Sequence, residues 1–164
     1  MCAYSFDFLD KTAYVTVLPQ LFDILYTNMS IIAPTGNSYN DDKNTWLSGI
    51  IPQIAQSERE IVLMYVNGDL AGYFQYSVRA DVFMMEEIQL KPAYQGSGIF
   101  KRLYQWVLQL IPNDVSYVEA YANKRNSKSQ DILTHIGLSV IGENKTGMSL
   151  HFKGDYKSFK THFE

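Results

Sequence analysis

A predicted strand passes into a predicted helix through a glycine-rich turn near the middle of this chain. The stretch IQLKPAYQGSGIFKRLYQWVLQLIP, residues 88–112, begins as an extended apolar run and stops at Pro112. We predict a helix from about residue 98 to residue 111, packed against a sheet. Its apolar side chains recur at helical spacing: Ile99, Leu103, Trp106 or Val107, and Leu110. Gly96 and Gly98 keep bulky side chains away from the start of that helix.

Three apolar runs precede this turn and predict an antiparallel meander. They read EIVLMYVN, LAGYFQYSV and VFMMEEIQL, and the turns between them contain Asn67-Gly68-Asp69 and Arg79-Ala80-Asp81. Asn-Gly between two apolar runs is a strong hairpin signal because both residues tolerate positive φ. The longest helix therefore follows directly after the third of three neighbouring strands.

The other elements give a mixed α and β order. We predict a first strand over residues 4–9, a helix in LPQLFDILYTNMSII, a polar loop over residues 35–44 and a helix near 45–55. After the long helix we predict a strand in SYVEAYA, a helix over about 127–136 and strands around LSVIGE and GMSLHF. The fold class is α/β in the mixed α+β sense.

Composition limits the kind of protein. The 164 residues are 46% hydrophobic, which is enough for one substantial core and a single domain. A net charge of −3 disfavours nucleic acid as a partner, because binding phosphates needs a concentrated basic surface. We interpret the basic tail, residues 151–162, as a solvated face.

Compartment and metal content are constrained by the same composition. No apolar run approaches the ~20 residues of a membrane span, and Asp7 and Asp10 interrupt the apolar part that a signal peptide needs. A lone Cys2 fits a reducing compartment. We therefore expect a cytoplasmic protein. We expect no metal, because the three histidines lack ligand spacing.

The turn itself has the chemistry of an anion site. The first turn of a helix leaves about four backbone N–H groups without internal partners, and the helix dipole adds positive charge there. Small residues at Gly96, Ser97 and Gly98 allow a phosphate to approach those groups. The alternative is an ordinary strand-to-helix turn that uses glycine for positive φ. Neither the Walker spacing nor the dinucleotide GxGxxG pattern is present.

At these residues the chain resembles a known family. Gln95-Gly96-Ser97-Gly98 is similar to the pyrophosphate loop of the GNAT superfamily, the acyl-CoA-dependent N-acyltransferases, whose pattern is Gln/Arg-x-x-Gly-x-Gly/Ala. The second family signature is echoed by NSKSQDILTHIGL, where Asn126, Gly137 and Leu138 fall at the family's intervals. The chain departs from the family's pattern at three positions: Phe100 replaces Gly or Ala, Ser129 replaces Ala, and Leu133 replaces a tyrosine.

The resemblance implies a fold and a co-substrate. The whole chain, residues 1–164, would be one N-acetyltransferase domain. Its mostly antiparallel mixed sheet would have about six to seven strands splayed in a V and about four flanking helices. Acetyl-CoA would lie between the strand ending at Leu90 and the strand SYVEAYA. The implied coenzyme-binding residues are Ile88, Gln89, Leu90, Gln95, Gly96, Ser97, Gly98, Ile99, Phe100, Lys101, Asn126 and Ser129.

The resemblance also implies catalytic roles. An alkylammonium with a pKa of about 10 must lose a proton before it attacks, and an acidic pair at Glu86 and Glu87 is found in relatives that acetylate polyamines. We favour Glu86 as the proton acceptor and take Glu119 as the second candidate, against the alternative of a solvated acidic pair. The Leu90 N–H would stabilise charge on the thioester oxygen.

With Leu133 at the tyrosine position, another group must protonate the thiolate. The candidates are Tyr121, Tyr94 and His135, or else water, because losing an acid catalyst slows such a reaction by about 10²–10⁴-fold without forbidding it.

The sequence does not identify the acyl acceptor and allows more than one function. The resemblance places the acceptor pocket at about residues 26–46, where Asp41 and Asp42 fit a cationic amine of a small molecule or a protein. Many members of the family form homodimers, so the resemblance also allows a homodimer of this chain. The runner-up hypothesis is a weakly active or inactive CoA-binding sensor or scaffold, and the third is a loop that serves another nucleotide.

Overall fold

The computed structural model describes residues 2–164, with seven strands and five α-helices in that range. The strands are β1 (Tyr4–Phe8), β2 (Arg59–Val66), β3 (Asp69–Arg79), β4 (Val82–Leu90), β5 (Tyr117–Asn123), β6 (Ser139–Glu143) and β7 (Ser149–Asp155). The helices are α1 (Leu18–Ile32), α2 (Tyr39–Ile54), α3 (Ile99–Val107), α4 (Ser127–His135) and α5 (Tyr156–His162), with a 3-10 turn at Pro92–Tyr94.

All seven strands belong to one sheet in the order β1-β2-β3-β4-β5-β7-β6. Two-residue turns join β2 to β3 and β3 to β4, so these neighbours are antiparallel hairpins. In the first turn Asn67 and Gly68 both have positive φ, as the Asn-Gly signal predicts. Strands β4 and β5 pair in parallel. The predicted mostly antiparallel mixed sheet is confirmed, with one helix more than expected in the described residues.

The chain divides into two compact units. The first runs from the amino terminus to Gln75 and from Glu87 to Ile99, and the second holds Tyr76–Glu86 and Phe100–Glu164. The first unit has a core built from its two helices and from strands β2 and β3. Its members are Leu9, Leu18, Leu21, Ile50, Ile54, Ile61, Leu63 and Tyr73.

Helix α2 begins earlier than the predicted residue 45. Ser38 caps its amino terminus by accepting a hydrogen bond from the Asp41 amide (3.1 Å), and Asp41 and Asp42 lie in the first turn. A capping serine followed by acids is favourable at a helix start because it satisfies free amides and the dipole. The prediction of a loop over residues 35–44 was therefore wrong from Tyr39 onward.

Helix α5 was not predicted, whereas the basic residues of the tail are exposed or half-buried, as the interpretation of a solvated face expects. Asp155 caps the helix by accepting from the Ser158 amide (2.9 Å). Tyr156, Phe159 and Phe163 are buried. These apolar residues bury one side of a short helix in the second unit. Their spacing was not recognised because polar residues separate them.

Helix α3 ends at Val107, four residues before the predicted end. Ile99, Leu103 and Val107 are buried as the spacing predicts, whereas Leu110 is 52% exposed. None of the helices formed by residues 2–164 combines the length and the apolar character required to cross a bilayer.

Strands β3 and β4 approach each other unusually closely at Gly72. A Cβ atom added there would lie 2.1 Å from the Gln89 carbonyl oxygen and 3.0 Å from Leu90 Cα. Just beyond, the Lys91 amide donates to the Ala71 carbonyl at 2.8 Å. Glycine is therefore required at position 72, and its absence of a side chain sets the position of the end of β4.

Candidate functional site

The predicted phosphate loop, Gln95–Gly98, lies between the 3-10 turn and α3. Gly96 and Gly98 have φ of +76° and +83°, and an added Cβ at either residue would meet no atom within 4 Å. All four residues of the loop are exposed. The two interpretations of these glycines are thus compatible, because the backbone needs the left-handed conformation and the space in front of it is open.

Residues after the loop differ in exposure. Ile99 is 1% exposed and begins α3, Phe100 is half-buried, and Lys101 is exposed. In the first unit, the Tyr4 hydroxyl donates to the Ser97 carbonyl oxygen at 2.8 Å and ties β1 to the loop.

The end of β4 is largely buried. Gln89 and Leu90 are 7% and 4% exposed, and Ile88 is half-buried. The Gln89 side-chain amide donates to Glu87 Oε1 at 2.6 Å. Burial raises the pKa of the Glu87 carboxyl above its usual range, although hydrogen bonds from the Gln89 side chain and the Ile88 backbone act in the opposite direction.

Tyr73 is a neighbour of Glu87 that sequence reasoning missed. Its ring is 1% exposed, and its hydroxyl oxygen makes no hydrogen bond among the described residues. Burial, with a smaller contribution from the Glu87 charge, raises the pKa of Tyr73. A half-buried carboxyl with a raised pKa beside a buried phenol is the kind of environment in which perturbed groups of functional sites occur.

We predict a pH-dependent stability effect from Glu87. The folded state holds the Glu87 proton more tightly than the unfolded chain, so the free energy of unfolding falls as pH rises from the ordinary pKa of 4.5 to the raised one. Glu87→Gln should remove this fall. The free energy of unfolding of the variant, relative to wild type, should therefore increase by up to ~1.4 kcal/mol per pH unit within that window. Urea titrations at several pH values in the window would measure the free energy of unfolding of both proteins. The same pH dependence in wild type and variant would contradict a raised pKa of this carboxyl.

A carboxylate–imidazole pair lies in the second unit. His151 Nε2 is 2.5 Å from Glu119 Oε1, and the two side chains are 20% and 14% exposed. The Tyr121 ring, in a residue that is 46% exposed, stacks on the His151 ring at 4.3 Å between centroids and an interplanar angle of 18°. Tyr121 and His151 are direct cross-strand partners on β5 and β7. Tyr121 is therefore an accessible ring and not a buried packing residue.

Glu86 lies on the same side of the sheet as this pair. Met84 pairs with Glu119 and Met85 pairs with Ala120 in parallel register. Met85 and Ala120 are the last paired residues, and strand alternation puts the Glu86 side chain on the face of Met84. Glu86 is half-buried.

The second signature forms the start of α4 as predicted. The Asn126 side chain accepts from the Ser129 amide at 3.1 Å, so it caps the helix. Leu133 is half-buried on the same helix. His135 contacts His162 edge-to-face at 5.7 Å between ring centroids. The coenzyme contacts expected for Asn126 and Ser129 stay predictions.

The two helices of the first unit hold a cluster of aromatic rings next to an acid. Tyr39 meets Tyr26 edge-to-face at 5.0 Å and Phe22 at 5.4 Å between centroids. The Tyr39 hydroxyl also donates to Asp23 Oδ1, and this hydrogen bond is the main reason that the pKa of Tyr39 is raised. Sequence reasoning missed Asp23.

The acids predicted for the acceptor loop have different surroundings. Asp42 accepts from the Thr35 hydroxyl at 2.9 and 2.7 Å, whereas Asp41 is exposed. Within residues 2–164 there is no group of three or more His, Cys, Asp or Glu side chains arranged to hold a metal ion.

The family now follows from sequence and fold together. A sequence profile of the Acetyltransferase (GNAT) family matches residues 18–137, which is well over half of the chain. The chain therefore belongs to the GNAT acetyltransferase family, and the predicted resemblance is confirmed. Among curated proteins, none matches the chain significantly.

Solved structures share the fold over nearly the entire length. A PaiA N-acetyltransferase from Thermoplasma acidophilum in complex with coenzyme A is 15% identical, with a TM-score of 0.73 over 94% of this chain and 99% of that one. An acetyltransferase from Thermus thermophilus is 12% identical, with a TM-score of 0.71 over 93% and 97% of the two chains. The aminoglycoside acetyltransferase AAC(6')-Ib with coenzyme A is 15% identical, with a TM-score of 0.67 over 97% and 98%.

Proposed function

We propose that residues 1–164 act as one acetyl-CoA-dependent N-acetyltransferase domain that modifies a primary amine. The observation that carries the proposal is the Gln95–Gly98 loop at the start of α3. Its two glycines adopt left-handed φ with open space where side chains would be, and they stand in the pyrophosphate-loop pattern of the family to which the chain belongs. Such a loop fits a diphosphate through backbone amides and the helix dipole.

The end of β4 fits the amide-rich arm of the coenzyme. In our proposal the backbone of Ile88, Gln89 and Leu90 pairs with pantetheine amides, as in β-augmentation. The Leu90 carbonyl oxygen already accepts from the side chains of Asn28 (2.8 Å) and Gln95 (3.2 Å). Leu90 therefore contributes its N–H, which is the group proposed to stabilise charge on the thioester oxygen.

Two proton transfers accompany acetyl transfer to an amine. Glu86 accepts the proton of the incoming ammonium, as its place in the acidic pair of β4 favours. Tyr121 donates a proton to the departing thiolate in place of the tyrosine that Leu133 replaces. Its accessibility and its stacking on His151 support this role, and the Glu119–His151 contact fixes the imidazole beneath it.

The acceptor is proposed to be a cationic amine. Asp23 and Asp41 add negative charge to the region of α1 and α2. The aromatic cluster there attracts a cation, since Lys43 Nζ lies over the Tyr39 ring at 5.7 Å from its centroid. Among the proteins of similar fold, AAC(6')-Ib has been crystallised with paromomycin and acetyl-CoA. A strongly acidic acceptor is disfavoured by the net charge of −3.

Thiol release from acetyl-CoA tests the proposal. We expect release above background with at least one amine in a panel of polyamines, aminoglycosides, amino acids and peptides. Coenzyme A should also raise the melting temperature, whereas ATP and NAD should not, because only a ligand of the native state stabilises it. Tight binding of coenzyme A without turnover would instead favour the sensor hypothesis, for which Leu133 and Phe100 are the supporting residues. Stabilisation by ATP or NAD alone would overturn the proposal.

A further inference from the structure

A polar residue in the last third of α1 contacts two distant segments of the first unit. The Asn28 side-chain amide donates to the Leu90 carbonyl oxygen at 2.8 Å and to Gln89 Oε1 at 3.0 Å. Asn28 Oδ1 accepts from Gln95 Nε2 at 3.4 Å. Asparagine is a poor helix former because its side chain competes with the backbone. Here that side chain instead points away from the helix toward β4 and the phosphate loop.

The Gln95 side chain completes the arrangement from the loop. Its Nε2 donates to the Leu90 carbonyl oxygen at 3.2 Å as well as to Asn28. The one carbonyl thus receives two side-chain amides, one from α1 and one from the first residue of the loop. Because a carbonyl oxygen has two lone pairs, its hydrogen-bonding capacity is filled.

The network continues to the Glu87 carboxyl, in a half-buried residue. Gln89 accepts from Asn28 through Oε1 and donates through Nε2 to Glu87 at 2.6 Å. One amide orientation of Gln89 therefore satisfies both neighbours. Since Gln89 is 7% exposed, loss of Asn28 would leave its acceptor oxygen buried without that partner, which costs more than the net value of a hydrogen bond.

We infer that Asn28 is a positioning residue for acetyl-CoA binding. Its side chain holds the Leu90 peptide and the Gln95 end of the phosphate loop in one fixed arrangement. The inference rests on the proposed function, because it gives these two segments their coenzyme-binding role. Asn28 acts through Leu90 and Gln95, and its contribution is to fix the distance between the segment proposed for the thioester and the segment proposed for the diphosphate.

The test compares Asn28→Ala, Asn28→Asp, Gln95→Ala and the double variant Asn28→Ala/Gln95→Ala with wild type. Asn28→Asp keeps the shape and removes both donors. Gln20→Ala is the matched control, since Gln20 is an exposed amide of α1 whose side chain donates to the Thr16 carbonyl oxygen at 3.3 Å. Calorimetry with coenzyme A gives the Kd, and thiol release gives the KM for acetyl-CoA and for the amine.

We expect Asn28→Ala and Asn28→Asp to weaken coenzyme A binding about tenfold and to raise the KM for acetyl-CoA similarly, with the KM for the amine changed less than about twofold. The double variant should bind about as weakly as Asn28→Ala alone, because both side chains act on the same carbonyl. Gln20→Ala should resemble wild type. A purely structural role would lower the melting temperature and leave the Kd unchanged.

Two outcomes would overturn the inference. One is an unchanged Kd in folded Asn28→Ala, and the other is fully additive effects of Asn28→Ala and Gln95→Ala. If Asn28→Ala does not fold, Asn28→Asp and Gln95→Ala decide by the same criteria, because Gln95 lies on the exposed loop. If wild type does not bind coenzyme A, the proposed function itself is contradicted. This result is distinguishable from a failure of the inference about Asn28.

Discussion

Glu86→Gln is expected to lower kcat by about 10²–10⁴-fold, the usual contribution of an acid–base group. The variant keeps the size of the side chain but cannot accept a proton from the ammonium. Affinity for coenzyme A should be unchanged, because the coenzyme is proposed to contact the later part of β4. The loss of kcat should become smaller as pH approaches about 10, because the amine is then already deprotonated in solution.

Glu143→Gln is the matched control for Glu86. Glu143 lies on the exposed strand β6, where it accepts from Lys124 Nζ at 2.6 Å, and its loss should leave kcat within about twofold, as for other surface pairs. If Glu86→Gln retains wild-type kcat while Glu119→Gln or His151→Asn loses it, the proton acceptor is the Glu119–His151 pair. That result would contradict the assignment to Glu86.

Gly98→Ala is expected to weaken coenzyme A binding about 100-fold. An alanine at φ of +83° is strained by roughly 1–2 kcal/mol. Its methyl group also projects into the open space proposed for the diphosphate. The strain is common to the free and the bound protein, so the obstruction by the methyl group is what we expect to cost about 2.7 kcal/mol of binding free energy in calorimetry.

Gly68→Ala separates strain from obstruction. Gly68 has φ of +85° in the β2–β3 turn, and an added Cβ would meet nothing within 4 Å there as well. Both variants should lose similar free energy of unfolding, but only Gly98→Ala should lose affinity for coenzyme A. Equal affinity in the two variants would show that the loop does not hold the diphosphate.

Local signals in the sequence predicted the elements that position the loop. Asn67-Gly68 predicts a hairpin because both residues accept positive φ, and the structure has both there. The start of α3 was predicted within one residue, since Gly98 and the apolar spacing after it act over a few positions. Helix α2 was misplaced because the cap at Ser38 was not recognised within a polar stretch.

Contacts between distant segments were not predictable in the same way. The Glu119–His151 contact spans 32 residues and depends on the pairing of β5 with β7, which passes over α4 and β6. Asn28 meets its β4 partners across 61 and 62 residues. A single sequence carries no local pattern for such contacts, so the roles of His151 and Asn28 were missed, whereas the Gln95–Gly98 loop is contiguous and could be proposed from its local pattern.

The position of the diphosphate in crystals grown with coenzyme A tests the central claim most directly. We predict that its oxygens accept hydrogen bonds from backbone amides in the stretch between Gln95 and Lys101, at about 2.7–3.2 Å. A diphosphate bound elsewhere on the chain, or a Phe100 ring filling the space in front of Gly96 and Gly98, would contradict the account.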